Sequence, residues 1–298
     1  MPPSASSNLL SVRLPGLRAW LDASTPFAAL LRDRLPAIAA IPPGFAKIPT
    51  RNRMNEVWEG RLDGLPFPLV LKRGWINPVY PLDRRIARQV NLALKNTYRR
   101  ALELAPRLEA VSFPTVRPLL CWKRIPRLLP AETGILYPKI EADGSLRRYL
   151  RDAPSGNPYD RRLLAPLPTL RALARLLRTL NAAGFVHLDP APQNVLLRPG
   201  AADPPLEADF VLIDVEAFRP LPGSRPDSPA NRHRRLIALE RLVPYIRSSD
   251  LPAFAEDFAL SGESPDAWLP LLLWLHRHPK PRPPAKLAIL LRALARRT

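Results

Sequence analysis

The chain has little with which to cross-link itself or to cross a membrane. Cys121 is its only cysteine, so no intramolecular disulfide can form and a reducing compartment is permitted. No stretch approaches the roughly eighteen uncharged apolar residues of a membrane span. The opening Met-Pro-Pro-Ser-Ala-Ser-Ser has neither the basic start nor the apolar run of a secretory signal. A cytoplasmic chain is expected. Acidic residues are also scarce, 26 Asp plus Glu against 45 Lys plus Arg, for a formal charge of +19. Such an excess favours an anionic partner such as nucleic acid, an acidic lipid surface or a phosphorylated glycan. The same composition also arises from a biased genome and a solvated surface, so charge alone does not choose the partner. With 298 residues the chain can bury a substantial core, as one two-lobed unit or two small domains.

What is present is a short constellation of polar residues between apolar runs. Residues 185 to 197 read Phe-Val-His-Leu-Asp-Pro-Ala-Pro-Gln-Asn-Val-Leu-Leu, and residues 210 to 216 read Phe-Val-Leu-Ile-Asp-Val-Glu. The first is an H-x-D-x-x-x-x-N loop carrying His187, Asp189 and Asn194; the second ends an apolar run at Asp214. Phosphoryl transfer needs a carboxylate near the attacking hydroxyl and hard oxygen ligands for the metal ions that neutralise the nucleotide's phosphates. Asp189 suits the first role, Asn194 and Asp214 the second. Each residue alone reads as a turn former or a cap. Their order, with turn formers between two strand-like runs, predicts a hairpin that brings Asn194 and Asp214 to one edge. His187 is expected to brace the loop.

Upstream, Asn55 to Leu62 and Leu65 to Arg73 read as two strands joined at Asp63-Gly64. Alternation sets Lys72 on the face opposite Leu71. The segment 84 to 110 is a long helical candidate with two acids, Glu103 and Glu109, before a break at Phe113-Pro114. Glu103 lies nearer the middle of that helix than Glu109, although Pro106 threatens to shift or end the helix. Leu136 to Glu141 reads as a linker. Leu167 to Ala183 reads as a core helix, with Leu170, Leu173, Ala174, Leu177 and Leu180 on one face, and it leads through Gly184 into the loop.

Leu-Val-Leu-Lys at 69 to 72, the run from Tyr98 to Leu119, His-Leu-Asp-Pro-Ala-Pro-Gln-Asn and Leu-Ile-Asp-Val-Glu together resemble the protein-kinase-like superfamily, and within it the lipopolysaccharide kinase (Kdo and WaaP-like) family. The resemblance implies an α+β, bilobal fold with a small β-rich N-lobe and a larger, mainly helical C-lobe. The expected parts are an N-terminal extension over 1–44, an N-lobe over 45–141, a C-lobe over 142–265 and a basic helical tail over 266–298. It further implies ATP and Mg2+ as cofactors, Lys72 on the nucleotide's phosphates with Glu103 holding it, and the main chain of Tyr137, Lys139 and Ile140 against adenine. The implied reaction is transfer of the gamma-phosphate to a hydroxyl of a lipopolysaccharide core sugar, Kdo or heptose, or of another anionic glycolipid. Nucleic acid is not favoured as a partner.

Departures from the superfamily pattern narrow the reading. The turn at Thr50 to Asn55 carries no glycine, so Arg51 or Arg53 would replace main-chain cradling of the phosphates. Ala191 and Gln193 stand where protein kinases usually carry Lys or Arg, and no Ala-Pro-Glu follows Asp214-Val215-Glu216. These features favour a non-protein acceptor. The tail, with Arg277, Lys280, Arg282, Lys286, Arg292, Arg296 and Arg297 and a stripe of leucines, has two readings. It lies on an anionic membrane surface, making the protein peripheral at the inner membrane, or it docks its leucines on the C-lobe. The alternatives to a sugar kinase are a small atypical protein kinase and a kinase-fold binding protein without activity.

Overall fold

The computed structural model describes residues 9–49, 55–74, 82–83, 85–86, 92, 97–124, 132–152, 164–222, 225 and 227–278. The chain divides into two compact units, one ending at Ile140 and one beginning at Glu141.

The first unit is built on one antiparallel sheet. Its strands are β1 (Leu9–Leu14), β2 (Leu17–Asp22), β3 (Ala46–Ile48), β4 (Asn55–Gly60), β5 (Leu69–Gly74), β6 (Leu120–Arg124) and β7 (Glu132–Pro138), in the spatial order β1-β2-β6-β7-β5-β4-β3. Register assigns the faces. Leu21, Leu120, Leu136, Leu71 and Trp58 stand opposite one another in a single cross-strand row. Two short helices, α1 (Ala28–Asp33) and α2 (Leu35–Ala40), cover that row with Leu31, Leu35 and Ile38. Gly134 is required here, because a Cβ would lie 2.0 Å from the Trp122 ring directly across the strand pair.

The residues between these, Trp20, Cys121, Ile135, Lys72 and Val57, form the next row on the opposite face. Helix α3 (Thr97–Ala110) packs there, against β2, β6 and β7. It runs through Pro106. The proline costs about 3 kcal/mol in a helix interior. Burial of Leu102, Leu104 and Leu108, at about 1.5–3 kcal/mol each, outweighs that.

The segment expected as an N-terminal extension is part of this unit, since β1 and β2 complete the sheet on the far side of β6. Leu17, Ala19 and Leu21 alternate inward, and Pro15-Gly16, with Gly16 at φ 69, turns the hairpin. The expected hairpin at Asp63-Gly64 forms with a longer loop, because the ladder restarts only at Leu69, beyond Pro66 and Pro68.

Where the sheet meets α3, Arg117 ties distant segments together. Its Nε donates to Asp22 Oδ2 at 2.6 Å and its Nη2 to Ser24 Oγ at 2.6 Å, while Nη1 bonds Glu109. Burial alone would raise the Asp22 carboxyl, but hydrogen bonds from Ser24 and Arg117 outweigh it and hold the group below its ordinary value of 3.8. A depressed folded-state value contributes stability above the ordinary carboxylate range, and that stability is lost as pH falls through it. Thermal unfolding of the parent should therefore drop on acidification below about pH 4 more steeply than that of Asp22→Asn. Parallel melting curves against pH for the two proteins would remove the role assigned to Asp22.

The second unit holds β8 (Gly144–Ser145), α4 (Leu146–Asp152), α5 (Leu167–Ala182), β9 (Phe185–His187), β10 (Val195–Leu197), β11 (Phe210–Leu212), β12 (Phe218–Pro220), α6 (Pro229–Leu239), α7 (Leu251–Phe258) and α8 (Leu269–Arg277). Helix α5 buries Leu170, Leu173, Ala174, Leu177 and Leu180, as its periodicity predicts. Gly184, at φ 85, ends the connection and starts β9. Helix α6 is capped by Ser228, whose side chain accepts from Asn231 N–H, and stops at Leu239 ahead of a 3-10 turn at Val243–Tyr245.

A buried ion pair links α6 to the segment before α8. Arg235, with no exposed surface, donates from Nη1 to Glu263 Oε1 at 2.8 Å and from Nη2 to the Phe258 carbonyl at 3.3 Å. Glu263 Oε2 accepts from Leu260 N and Trp268 Nε1. The guanidinium lies 4.7 Å from the Trp268 ring centroid and 5.0 Å from that of Phe258. Burial pushes the Arg235 guanidinium below its ordinary value, and Glu263 opposes that shift.

Candidate active site

The polar constellation of the second unit is held by main-chain bonds that the flanking strands make possible. Strands β10 and β11 pair antiparallel, Val195 with Leu212 and Leu197 with Phe210. Just outside the Val195–Leu212 pair, Ile213 N–H donates to the Asn194 carbonyl at 2.9 Å. That bond sets Asn194 beside the residue preceding Asp214, so the expected hairpin brings both to one edge.

Asp214 then adopts a left-handed conformation, φ 64 and ψ 51. Few residues other than Asp and Asn tolerate this without glycine. The turn continues as Ala217 N–H donates to the Asp214 carbonyl at 2.7 Å. It delivers the chain to β12, which pairs back on β9, Phe218 opposite His187.

His187 is the brace the sequence suggests. Its Nε2 lies 2.8 Å from the Ile213 carbonyl, and its Nδ1 accepts from Asp189 N–H at 3.3 Å. A carbonyl can only accept, so Nε2 carries the proton and Nδ1 the lone pair, which defines a neutral imidazole. The ring stacks edge-on against Phe218, centroids 4.6 Å apart, and is 1% exposed. One side chain thus ties the main chain at Asp189 to the main chain just before Asp214.

Asn194 closes the loop on itself. Its Nδ2 donates to the Asp189 carbonyl at 2.9 Å. Because only the amide nitrogen can donate, Oδ1 is the end left as a hard oxygen donor. Asn194 and Asp214 therefore fit a magnesium ion, which takes one or two protein oxygens and completes its shell with phosphates and water. Among the described residues no three His, Cys, Asp or Glu gather as a metal site. A cleft of about 690 Å³, lined by Gly144, Tyr149, Leu197 and Asp203 among others, lies at the opposite end of the β10–β11 hairpin. It does not coincide with these residues.

In the first unit, Lys72 is 7% exposed and faces the α3 side of the sheet, opposite Leu71, as alternation requires. Glu103 borders the same face. Burial, above all, raises the Cys121 thiol, two strands from Lys72, and Glu103 adds to that shift while Arg99 opposes it. Glu103 itself forms an i,i+4 pair with Arg99 at 2.7 Å, and Glu109 is committed to Arg117. Tyr137 is the last residue but one of β7, Lys139 N–H donates to the Pro68 carbonyl at 2.9 Å, and the Lys139 ammonium pairs with Glu59. Ile140 closes the first unit. Arg51, Arg53 and the tail beyond His278 lie outside the described residues.

A β-rich first unit with a buried strand lysine and a helical second unit with this loop and hairpin define a protein-kinase-like fold. Among solved structures the chain is similar to WaaP in complex with acyl carrier protein, at 17% identity and a TM-score of 0.53, over 85% of this chain and 94% of that one. The kinase domains of Mycobacterium tuberculosis PknI and of BubR1 also align, at 15% and 13% identity and TM-scores of 0.38 and 0.34. They cover 68% and 71% of this chain, and 75% and 50% of theirs. No family model matches the chain, and no curated protein matches it.

Proposed function

We propose that the chain is an ATP-dependent phosphotransferase with an alcohol acceptor, and that the acceptor is a sugar hydroxyl of a lipopolysaccharide core or a related anionic glycolipid. The observation that carries the chemistry is the pair of ties through His187 and Ile213, which holds Asp189, Asn194 and Asp214 about one edge through bonds within the protein. Preorganisation of this kind is what a positioning mechanism needs. When bound, the nucleotide supplies the phosphoryl group and magnesium neutralises its charge. Asp189 would orient the acceptor hydroxyl and take its proton, Asn194 Oδ1 and the Asp214 carboxylate would hold the metal, and Lys72, steadied by Glu103, would meet the phosphates. Tyr137 and Ile140 would border the base, with Arg51 or Arg53 closing over the phosphates.

The sugar acceptor is supported by Ala191, by the missing Ala-Pro-Glu segment and by the overall basic charge. The fold similarity to WaaP extends over most of both chains. Incubation with gamma-labelled ATP and separated acceptors tests the assignment. Label is expected in a lipopolysaccharide core fraction and not in a general protein substrate. Label in protein alone would select the atypical protein kinase, and label in neither, with nucleotide still bound, the binding protein.

A further inference from the structure

The tip of the β1–β2 hairpin concentrates charge of one sign where sheet pairing normally avoids it. Arg13, Arg18 and Lys123 stand directly opposite one another on β1, β2 and β6. The row continues through Thr133, Gly74 and Asn55, so none of its described members is acidic. Opposed residues on neighbouring strands lie about 5 Å apart, and like charges so placed are destabilising. Burial and the neighbouring Arg18 hold the Lys123 ammonium below its ordinary value. Arg18 and Arg99 flank the Trp20 ring, at 5.0 and 5.5 Å from its centroid, which fixes part of the charge in place. Between Arg13 and Arg18 the turn exposes Leu14, Pro15 and Gly16. Leu14 is 38% exposed, and Leu10 on the same edge strand 40%.

We infer that the β1–β2 tip, with the end of β6 beside it, is a docking surface for an anionic lipid bilayer, with Arg13, Arg18 and Lys123 meeting lipid phosphates and Leu14 and Pro15 entering the headgroup region. A discrete small ligand is taken into a concave site, whereas these cations lie in the plane of a sheet. A planar array of positive charge beside exposed apolar residues matches a planar array of negative charge with an apolar layer beneath it.

Sedimentation of the full chain with vesicles tests this without nucleotide or acceptor, so its outcome is separate from that of the phosphotransfer reading. The parent should bind phosphatidylglycerol vesicles, and salt should weaken the binding. The triple variant Arg13→Gln, Arg18→Gln, Lys123→Gln should lose at least about tenfold in partitioning. A control triple, Arg198→Gln, Arg241→Gln, Arg247→Gln, removes as many charges from the second unit and should bind nearly as the parent does. Leu14→Ser, which leaves the charges intact, should weaken binding even if the charge variant folds poorly. Equal losses in both triples, parent-like binding by the hairpin variants, or binding of heparin without binding of vesicles would overturn the inference.

Discussion

Asp189→Ala and Asp214→Ala should each lower phosphotransfer turnover by at least about a hundredfold while leaving the fold intact. The structure gives the reason the fold should survive. Asp189 anchors the loop through its main chain, its N–H on His187 Nδ1 and its carbonyl on Asn194 Nδ2, and neither bond uses the carboxylate. Asp214 likewise contributes its carbonyl to the turn that follows. These main-chain bonds remain when either carboxylate is removed. The left-handed backbone at Asp214 will cost Ala roughly 1 kcal/mol, which a domain of this size tolerates. Lys72→Ala should also impair turnover, chiefly through the KM for nucleotide. Circular dichroism and melting temperature establish folding, and single-turnover rates with gamma-labelled ATP establish the loss. Folded Asp189 and Asp214 variants that retained near-parent turnover would remove those residues from the chemistry.

Glu263→Ala should destabilise the second unit by about 3–5 kcal/mol, because it strands a guanidinium that has no exposed surface. Glu263 also accepts from Leu260 N and Trp268 Nε1, so the deletion leaves further buried donors unmatched. The aromatic rings on either side of Arg235 retain part of the charge stabilisation. Urea unfolding measures the loss. The double variant Arg235→Met, Glu263→Leu removes both charges and keeps volume, and it should recover most of the stability, since apolar replacement of a buried pair is often neutral or better. A double variant no more stable than Glu263→Ala would show that the value lies in the network of hydrogen bonds and not in the cancellation of charge.

The parts of this molecule that were legible in the sequence are those fixed by neighbours along the chain. The spacing of His187, Asp189 and Asn194, the turn formers before Phe210 and the alternation around Lys72 all act over a few residues, and the structure contains the loop, the hairpin and the strand face they imply. The hairpin of β1 and β2 was not legible as part of the sheet, because its partner is β6, far along the chain, and a short apolar alternation does not reveal which strand it will join. Pro106 misled in the opposite direction. Its local penalty is real, but the buried face of α3 outweighs it, and burial is a property of the partner surface. Arg99 as the companion of Glu103 follows a simple i,i+4 rule that the sequence displays.

The strand order has a consequence for how the protein is made. Leu17 to Leu21 can find Leu120 to Arg124 only after roughly a hundred further residues have left the ribosome, and contacts of such separation form slowly. Until then the nascent hairpin carries Leu17, Ala19 and Leu21 uncovered, and β5 waits for β7 in the same way. The β1–β2 hairpin and the β3–β4–β5 meander can each pair as they emerge, but the two join into one sheet only when β6 and β7 arrive between them, which makes those two strands the part of the sequence on which synthesis and folding are most tightly coupled.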